Sequence, residues 1–293
     1  MKMKMCILIF LIISSFLFGD SLGVRFLGFF DTPGYARGVF IVYPYAYVSD
    51  GESGLLIIDI SDPTHPQLVG QYDTPDEAYE VYISYPYAYV ADDESGFWII
   101  DISDPREPEL VGYFDTPGHA YSVFAYGSYV YIADDEAGLL IIDISDPTHP
   151  QLVGQYDTPD EAYEVYISYP YAYVADDESG FWIIDISDPR EPELVGYYNT
   201  PDEALDIYVL IPPFLNSFPK VYVADGRTGL RIHEFYGAGI EERTTKVKVV
   251  DEKSKEKEDL YDISGKVVKY KKASKGVYFR NTSKGLEKII LLK

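Results

Sequence analysis

Apolar and polar residues alternate along Ala78–Ser84 (AYEVYIS), which puts Tyr79, Val81 and Ile83 on one side and predicts a strand covered on one face. Tyr85-Pro86 breaks the run, and Tyr87–Ala91 (YAYVA) resumes it. Asp92-Asp93-Glu94-Ser95-Gly96 then interrupts with polar residues and a glycine able to supply a positive φ, the composition of a hairpin loop. Phe97–Ile102 (FWIIDI) is nearly all apolar, as expected of a strand covered on both faces. After Ser103-Asp104-Pro105, Glu109–Phe114 (ELVGYF) reads as a fourth strand. The prolines fall at the ends of these runs and not inside them. No stretch carries a convincing 3.6-residue period, so a helical solenoid is excluded.

The pattern returns at a fixed spacing. Asp73–Phe114 recurs as Asp157–Tyr198 with one change, Phe114 against Tyr198. Looser copies run over Asp31–Tyr72 and Asp115–Tyr156, a degenerate one starts at Asn199, and all five starts are 42 residues apart. Residues 54–113 and 138–197 are identical over 60 positions, the mark of a two-repeat duplication. A unit of this length cannot bury its apolar face alone and must stack on its neighbours. Four antiparallel strands in such a unit predict one β-propeller blade.

Val24–Phe30 (VRFLGFF) aligns with the fourth strand but has no three strands before it. The last copy shows Ala204–Leu210, Val221–Ala224 and Leu230–Phe235 and lacks a fourth. The expected fold is therefore all-β: a five-bladed β-propeller of 42-residue, four-stranded blades, with the N-terminal strand closing the last blade. An open β-solenoid is the second reading. The fifth copy departs from the others, with Ile232-His233-Glu234-Phe235 in place of Ile-Asp-Ile-Ser-Asp-Pro and about seven extra residues around Pro212–Pro219.

The stretch YAYVADDESGFWIIDISDPREPELVG (87–112) resembles the LVIVD repeat, a bacterial propeller-type repeat, and the resemblance extends to 45–70, 129–154, 171–196 and loosely 221–236. It implies a propeller on an exported or surface protein with no assigned catalysis.

Two flanking segments differ from the repeats. Residues 1–21 join Lys2 and Lys4 to an apolar run, Met5–Phe18, which reads as a secretory signal peptide and is short for a transmembrane span. After Gly237 the chain turns charged over 238–258, and 259–293 reads as a small C-terminal β domain with strands at Gly265–Tyr270, Gly276–Asn281 and Lys288–Leu292. Tyr261-Asp262-Ile263-Ser264-Gly265, Lys275-Gly276-Val277-Tyr278-Phe279 and the closing Lys288–Lys293 resemble the C-terminal sorting domain of the type IX (Por) secretion system. That resemblance implies the secretion machinery as a partner and a secreted or outer-membrane-surface location. The expected domains are thus 1–21, the propeller at 22–237, a linker at 238–258 and the tail. No membrane span is expected after signal cleavage.

Charge sharpens the division. Residues 241–293 hold 9 acidic and 15 basic residues, net +6, which leaves −30 of the total −24 on the first 240. An acidic body repels phosphate backbones, so no nucleic-acid partner is expected. The only cysteine, Cys6, lies in the leader, which excludes thiol chemistry in a mature chain.

Candidate chemistry rests on carboxylates. Loops between second and third strands carry Asp92, Asp93 and Glu94; Asp134, Asp135 and Glu136; and Asp176, Asp177 and Glu178, and the turns between repeats add Asp73, Asp76, Glu77, Asp115, Asp157, Asp160 and Glu161. In a propeller both sets emerge on one face. Hard cations want clustered oxygen ligands, so this face is the candidate seat of calcium or of a cationic partner, with His119 beside it as a candidate acid or base. Acidic residues equally suit solvated hairpin turns. No cofactor is required by any motif, and no catalytic residue is assigned. His65 and His149 stand in equivalent turns two repeats apart, too far to share a metal. Tyrosines at the Tyr-Pro turns offer packing between blades or a rim for sugar or protein. The favoured function is a non-catalytic binding or adhesion scaffold for a protein or glycan partner, and the alternative is a secreted glycan hydrolase acting at the channel mouth.

Overall fold

The structure, a computed structural model, describes residues 25–211 and 218–235, and beyond them the backbone of five short strands between 248 and 291. The expected leader at 1–21 lies outside the described residues, as does most of the linker at 238–258.

The first repeat forms β1 (Gly38–Val42), β2 (Tyr45–Ser49), β3 (Leu55–Asp59) and β4 (Gln67–Tyr72). The second forms β5 (Glu80–Ser84), β6 (Tyr87–Ala91), β7 (Phe97–Asp101) and β8 (Glu109–Phe114). The third gives β9 (Ser122–Tyr126), β10 (Tyr129–Ala133), β11 (Leu139–Asp143) and β12 (Gln151–Tyr156), and the fourth β13 (Ala162–Ser168), β14 (Tyr171–Asp176), β15 (Phe181–Asp185) and β16 (Glu193–Tyr198). The fifth has three strands, β17 (Ala204–Leu210), β18 (Lys220–Asp225) and β19 (Gly229–Glu234), with a single 3-10 turn at Gly226–Thr228. Each repeat is its own sheet, with strands neighbouring in chain order. The chain is all-β here because alternating Tyr, Val and Ile cover one pleated face while Asp, Gly and Pro end every run.

The described residues form two compact units, one up to Ala125 with Ile144–Pro150 and the other Tyr126–Asp143 with Gln151 onward. Within the first, Val81 and Ile83 of β5 are buried in one cluster with Tyr47, Leu55 and Ile57 of the preceding sheet. Within the second, Ile207 and Val209 of β17 are buried with Tyr173, Phe181 and Ile183. The junction rule is the same in both: two alternate residues of a first strand sit on a tyrosine of the previous second strand and two apolar residues of the previous third strand.

A glycine in β4, β8 and β12 seats the next repeat. A Cβ on Gly70 would lie far inside 3.0 Å of the Pro105 carbonyl oxygen, and Gly112 and Gly154 stand likewise against Pro147 and Pro189. Only a residue without a side chain lets the Ser-Asp-Pro turn approach this closely.

The two ends differ from expectation. Among the described residues, 25–30 form no strand and the last sheet keeps the order β17-β18-β19. Half of the expected relation is present: Gly28 stands against Pro63 as Gly70 stands against Pro105. A fourth strand needs a ladder partner beside that seat. Beyond the repeats, β20 (Lys248–Val249), β21 (Asp259–Tyr261), β22 (Val267–Lys269), β23 (Gly276–Thr282) and β24 (Gly285–Leu291) make a sheet in the order β20-β24-β23-β21-β22.

Candidate functional site

The loops that the sequence singles out are built around their first aspartate, and that residue faces inward. Asp92, Asp134 and Asp176 are wholly buried, together with Asp50 and Asp225 of the first and last repeats. Asp92 accepts hydrogen bonds from the hydroxyls of Thr74 and Ser95 and, at 3.1 Å, from the backbone N–H of Asp76. Ser95 in turn accepts the indole N–H of Trp98 at 2.9 Å. Asp176 repeats the design with the Ser179 hydroxyl and the Asp160 N–H, and Trp182 donates to Ser179 at 2.8 Å. Each such aspartate thus staples its hairpin loop to the turn that enters its own repeat. Burial pushes the Asp92 and Asp176 carboxyls up, against the opposing bonds from Ser95 and Ser179. Placing Asp92, Asp134 and Asp176 on the acidic surface is therefore corrected: a wholly buried carboxylate cannot meet a partner in solution.

The second and third acids remain outside. Asp93, Asp135 and Asp177 are half-buried and adopt positive φ angles of 45°, 50° and 38°, which turn the chain back toward the glycine that closes each loop. Their backbones bridge to Ala120, Ala162 and Ala204, so each loop also rests on the start of the following repeat. Glu94, Glu136 and Glu178 are exposed.

What stands opposite the second acid differs between repeats. His119 Nδ1 lies 2.8 Å from Asp93 Oδ1. One repeat earlier Arg37 pairs with Glu77 and lies over the Tyr79 ring, 3.9 Å from its centroid. Around Asp177 the neighbours are acidic. Burial, then Asp160, Glu161, Glu203 and Glu178, push its carboxyl up to about 6. His119 therefore takes Asp93 as its partner. Among the described residues, no group of three or more His, Cys, Asp or Glu is arranged to hold a metal ion.

His65 and His149 sit in matching exposed turns, each within 3.3 Å of the aspartate three residues before it, Asp62 and Asp146. Tyr43, Tyr85 and Tyr169 at the Tyr-Pro turns are exposed, and Tyr169 stacks on Tyr126 with ring centroids 5.6 Å apart. The sequence marks His233 as part of the departing segment of the fifth copy and assigns it no role. It takes the place held by Ile184 in the fourth repeat, with its ring 4.4 Å from Tyr198 and its Nε2 buried without a hydrogen-bond partner. The signal was the replaced Ile-Asp-Ile-Ser-Asp-Pro segment itself.

The LVIVD repeat family matches residues 33–74, 76–116, 117–158 and 160–200. The chain belongs to the LVIVD repeat family. Its repeats are β-propeller blades, and the fifth copy lies outside those matches. Among solved structures, the computationally designed Ika8 protein is similar at 9% identity, with 87% of this chain and 70% of that chain covered and a TM-score of 0.52. The computationally designed Ika4 protein is similar at 8% identity over 55% of this chain and 98% of that chain, with a TM-score of 0.45. The likeness to Ika8 is one of fold alone. A comparison with curated proteins found no match.

Proposed function

We propose that this LVIVD protein is an exported, surface-displayed propeller scaffold that holds a protein or glycan partner and does not transform it. One observation carries the reading. Asp92 and Asp176 are consumed inside their loops, while the third acid of each of three loops, Glu94, Glu136 and Glu178, is exposed. A surface repeated in this way suits binding, whereas a reaction centre needs a constellation that occurs once. The basic tail with β23 and β24 supplies the sorting address, and the leader at 1–21 supplies the first export step.

The test is a pull-down with the full chain from cell-surface and medium extracts, with and without calcium. A saturable partner is expected, lost when Asp93, Glu94, Asp135, Glu136, Asp177 and Glu178 are changed to their amides. The two calcium conditions separate direct recognition from recognition bridged by the cation. The hydrolase reading draws on Asp177 alone, whose carboxyl near pH 6 suits a general acid. Glycan cleavage abolished by Asp177→Asn, in a chain that captures no partner, would replace the scaffold reading.

A further inference from the structure

Two rows of aromatic rings, built alike, have no part in the acidic edge. In the first, Trp98 of β7 lies 5.1 Å from Tyr113, its partner across β8, with the rings 16° from parallel, and 6.5 Å from Tyr72 of β4. In the second, Trp182 of β15 lies 5.0 Å from Tyr197 of β16, 15° from parallel, and 6.4 Å from Tyr156 of β12. Each row belongs wholly to one of the two compact units. Tyr113 and Tyr197, at one end of each row, are 56% and 60% exposed, and both tryptophans are half-buried. Folding does not demand these rings. In the same register the first and third repeats pair Leu56 with Gln71 and Leu140 with Gln155, and their sheets have the same four strands. There the leucine is wholly buried and the glutamine amide donates to the carbonyl of Ser53 or Ala137, a closed pair where the other repeats keep an open one.

The rings are held in place before any ligand arrives. The indole N–H of Trp98 donates to Ser95 Oγ at 2.9 Å and that of Trp182 to Ser179 Oγ at 2.8 Å, and the two serines are themselves fixed by the buried Asp92 and Asp176. An indole has one polar group, and here its own loop takes it, so each row presents ring surface already ordered for contact. Carboxylates frame that surface. Glu94 and Glu178, next in sequence to the two serines, are exposed, and burial followed by Asp73 or Asp157 holds the phenols of Tyr72 and Tyr156 above their usual range. No lysine or arginine occurs between Tyr72 and Trp98 or between Tyr156 and Trp182.

We infer that the two rows are equivalent glycan sites, each of which stacks the rings of a neutral polysaccharide built from pyranoses with equatorial substituents. The axial C–H bonds of such a sugar make its faces flat and apolar, while its hydroxyls form a polar rim. That combination matches tyrosine and tryptophan faces framed by carboxylates, because the faces stack and the hydroxyls donate to the acids. An apolar protein surface would cover the same rings but leave the flanking carboxylates desolvated without donors. An anionic polymer is repelled by the acids, with no cation beside the rings to offset them. Because both rows fall in the segment that occurs twice, 54–113 and 138–197, a polymer that repeats one sugar suits them equally. The inference does not rest on the acidic edge, and the two readings stand or fall separately.

Trp98 and Trp182 are the only tryptophans of the chain, so its indole fluorescence reports these two sites and nothing else. The test is a titration of the full chain with cellohexaose, xylohexaose and N-acetylchitohexaose, read by tryptophan emission and by calorimetry. Hyaluronan hexasaccharide, which has equatorial rings and adds carboxylates, is the control. At least one neutral probe should shift the emission saturably and bind at two sites per chain, and the control should not. Trp98→Leu and Trp182→Leu install the residue of the first and third repeats, so each should keep the wild-type circular dichroism and lower the stoichiometry to one. The double variant should bind none. Tyr113→Gln with Tyr197→Gln keeps both reporters and should weaken binding about tenfold. Emission unmoved by all three neutral probes, binding that survives the double tryptophan variant, or hyaluronan bound as well as the neutral probes overturns the inference.

Discussion

His119 Nδ1 stands 2.8 Å from Asp93 Oδ1, so the second acid of that loop takes its partner from the turn that opens the next repeat. Two repeats on, the position of His119 is held by Glu203, and Asp177 faces a like charge. An identical loop, Asp-Asp-Glu-Ser-Gly, thereby meets an imidazole in one repeat and a carboxylate in the other.

The sign of the Asp177 effect follows from its direction. Its carboxyl rises from 3.8 to about 6 on folding, so its contribution to stability is full below about pH 4 and is lost as pH rises through about 6. Asp177→Asn should therefore be more stable than the wild type at pH 7 and indistinguishable from it near pH 4. Urea midpoints at the two pH values check this. An equal gap at both would show that neither burial nor the acidic neighbours raise this carboxyl.

His233 behaves in the opposite sense. Burial first, then Arg231, hold its imidazole below the usual 6.5 against the pull of Asp225. The folded chain binds its proton less readily than the unfolded one, so stability falls as pH drops below 6.5. His233→Ile restores the residue of the fourth repeat and removes a buried nitrogen without a partner, a gain of about 1 kcal/mol at pH 7. The gain should widen at pH 5, as thermal melts would read.

The fourth-strand glycines give a paired test. Gly112→Ala drives a Cβ into the Pro147 carbonyl, and overpacking of this kind costs about 1–3 kcal/mol. Gly196 occupies the same place before the fifth repeat, which has no such proline turn, and a Cβ there meets Phe235 no closer than 3.5 Å. Gly196→Ala should be close to neutral. Equal losses in denaturant midpoint would dissociate the glycine from the seating of the turn.

Within one loop, stability and binding should separate. Asp92→Ala strands the Thr74 hydroxyl and the Asp76 N–H, a loss of about 1–3 kcal/mol. Glu94→Gln, on an exposed side chain, should leave the melting temperature unchanged and weaken capture of the partner. Parallel melts and pull-downs on the two variants decide it.

Much of the fold is legible in the residues. Tyr87–Ala91, Glu109–Phe114 and Ala204–Leu210 form strands at the bounds that alternation and turn chemistry set, because local pattern and local pairing agree there. Residues 25–30 read as a strand by the same signs and form none, since a ladder depends on what lies alongside and not on the segment itself. In the tail, Asp259–Tyr261 escaped notice because three residues behind a charged run show no period. Asp92, Asp93 and Glu94 look interchangeable as letters. They part company in the fold, where Thr74, Ser95 and the Asp76 N–H hold Asp92 inside, Asp93 is half-buried against His119, and Glu94 is exposed.

The glycine seat has a bearing on the history of the chain. Gly70 and Gly154 each serve a turn from a following repeat, and both fall in the segment that occurs twice, 54–113 and 138–197. Because every inner repeat brings one seat and one turn, a recombination event that copies whole repeats creates no contact the protein did not already possess. Gene duplication can therefore lengthen or shorten the array without inventing new packing, and the unequal crossing-over that repeated DNA invites becomes a tolerated form of variation.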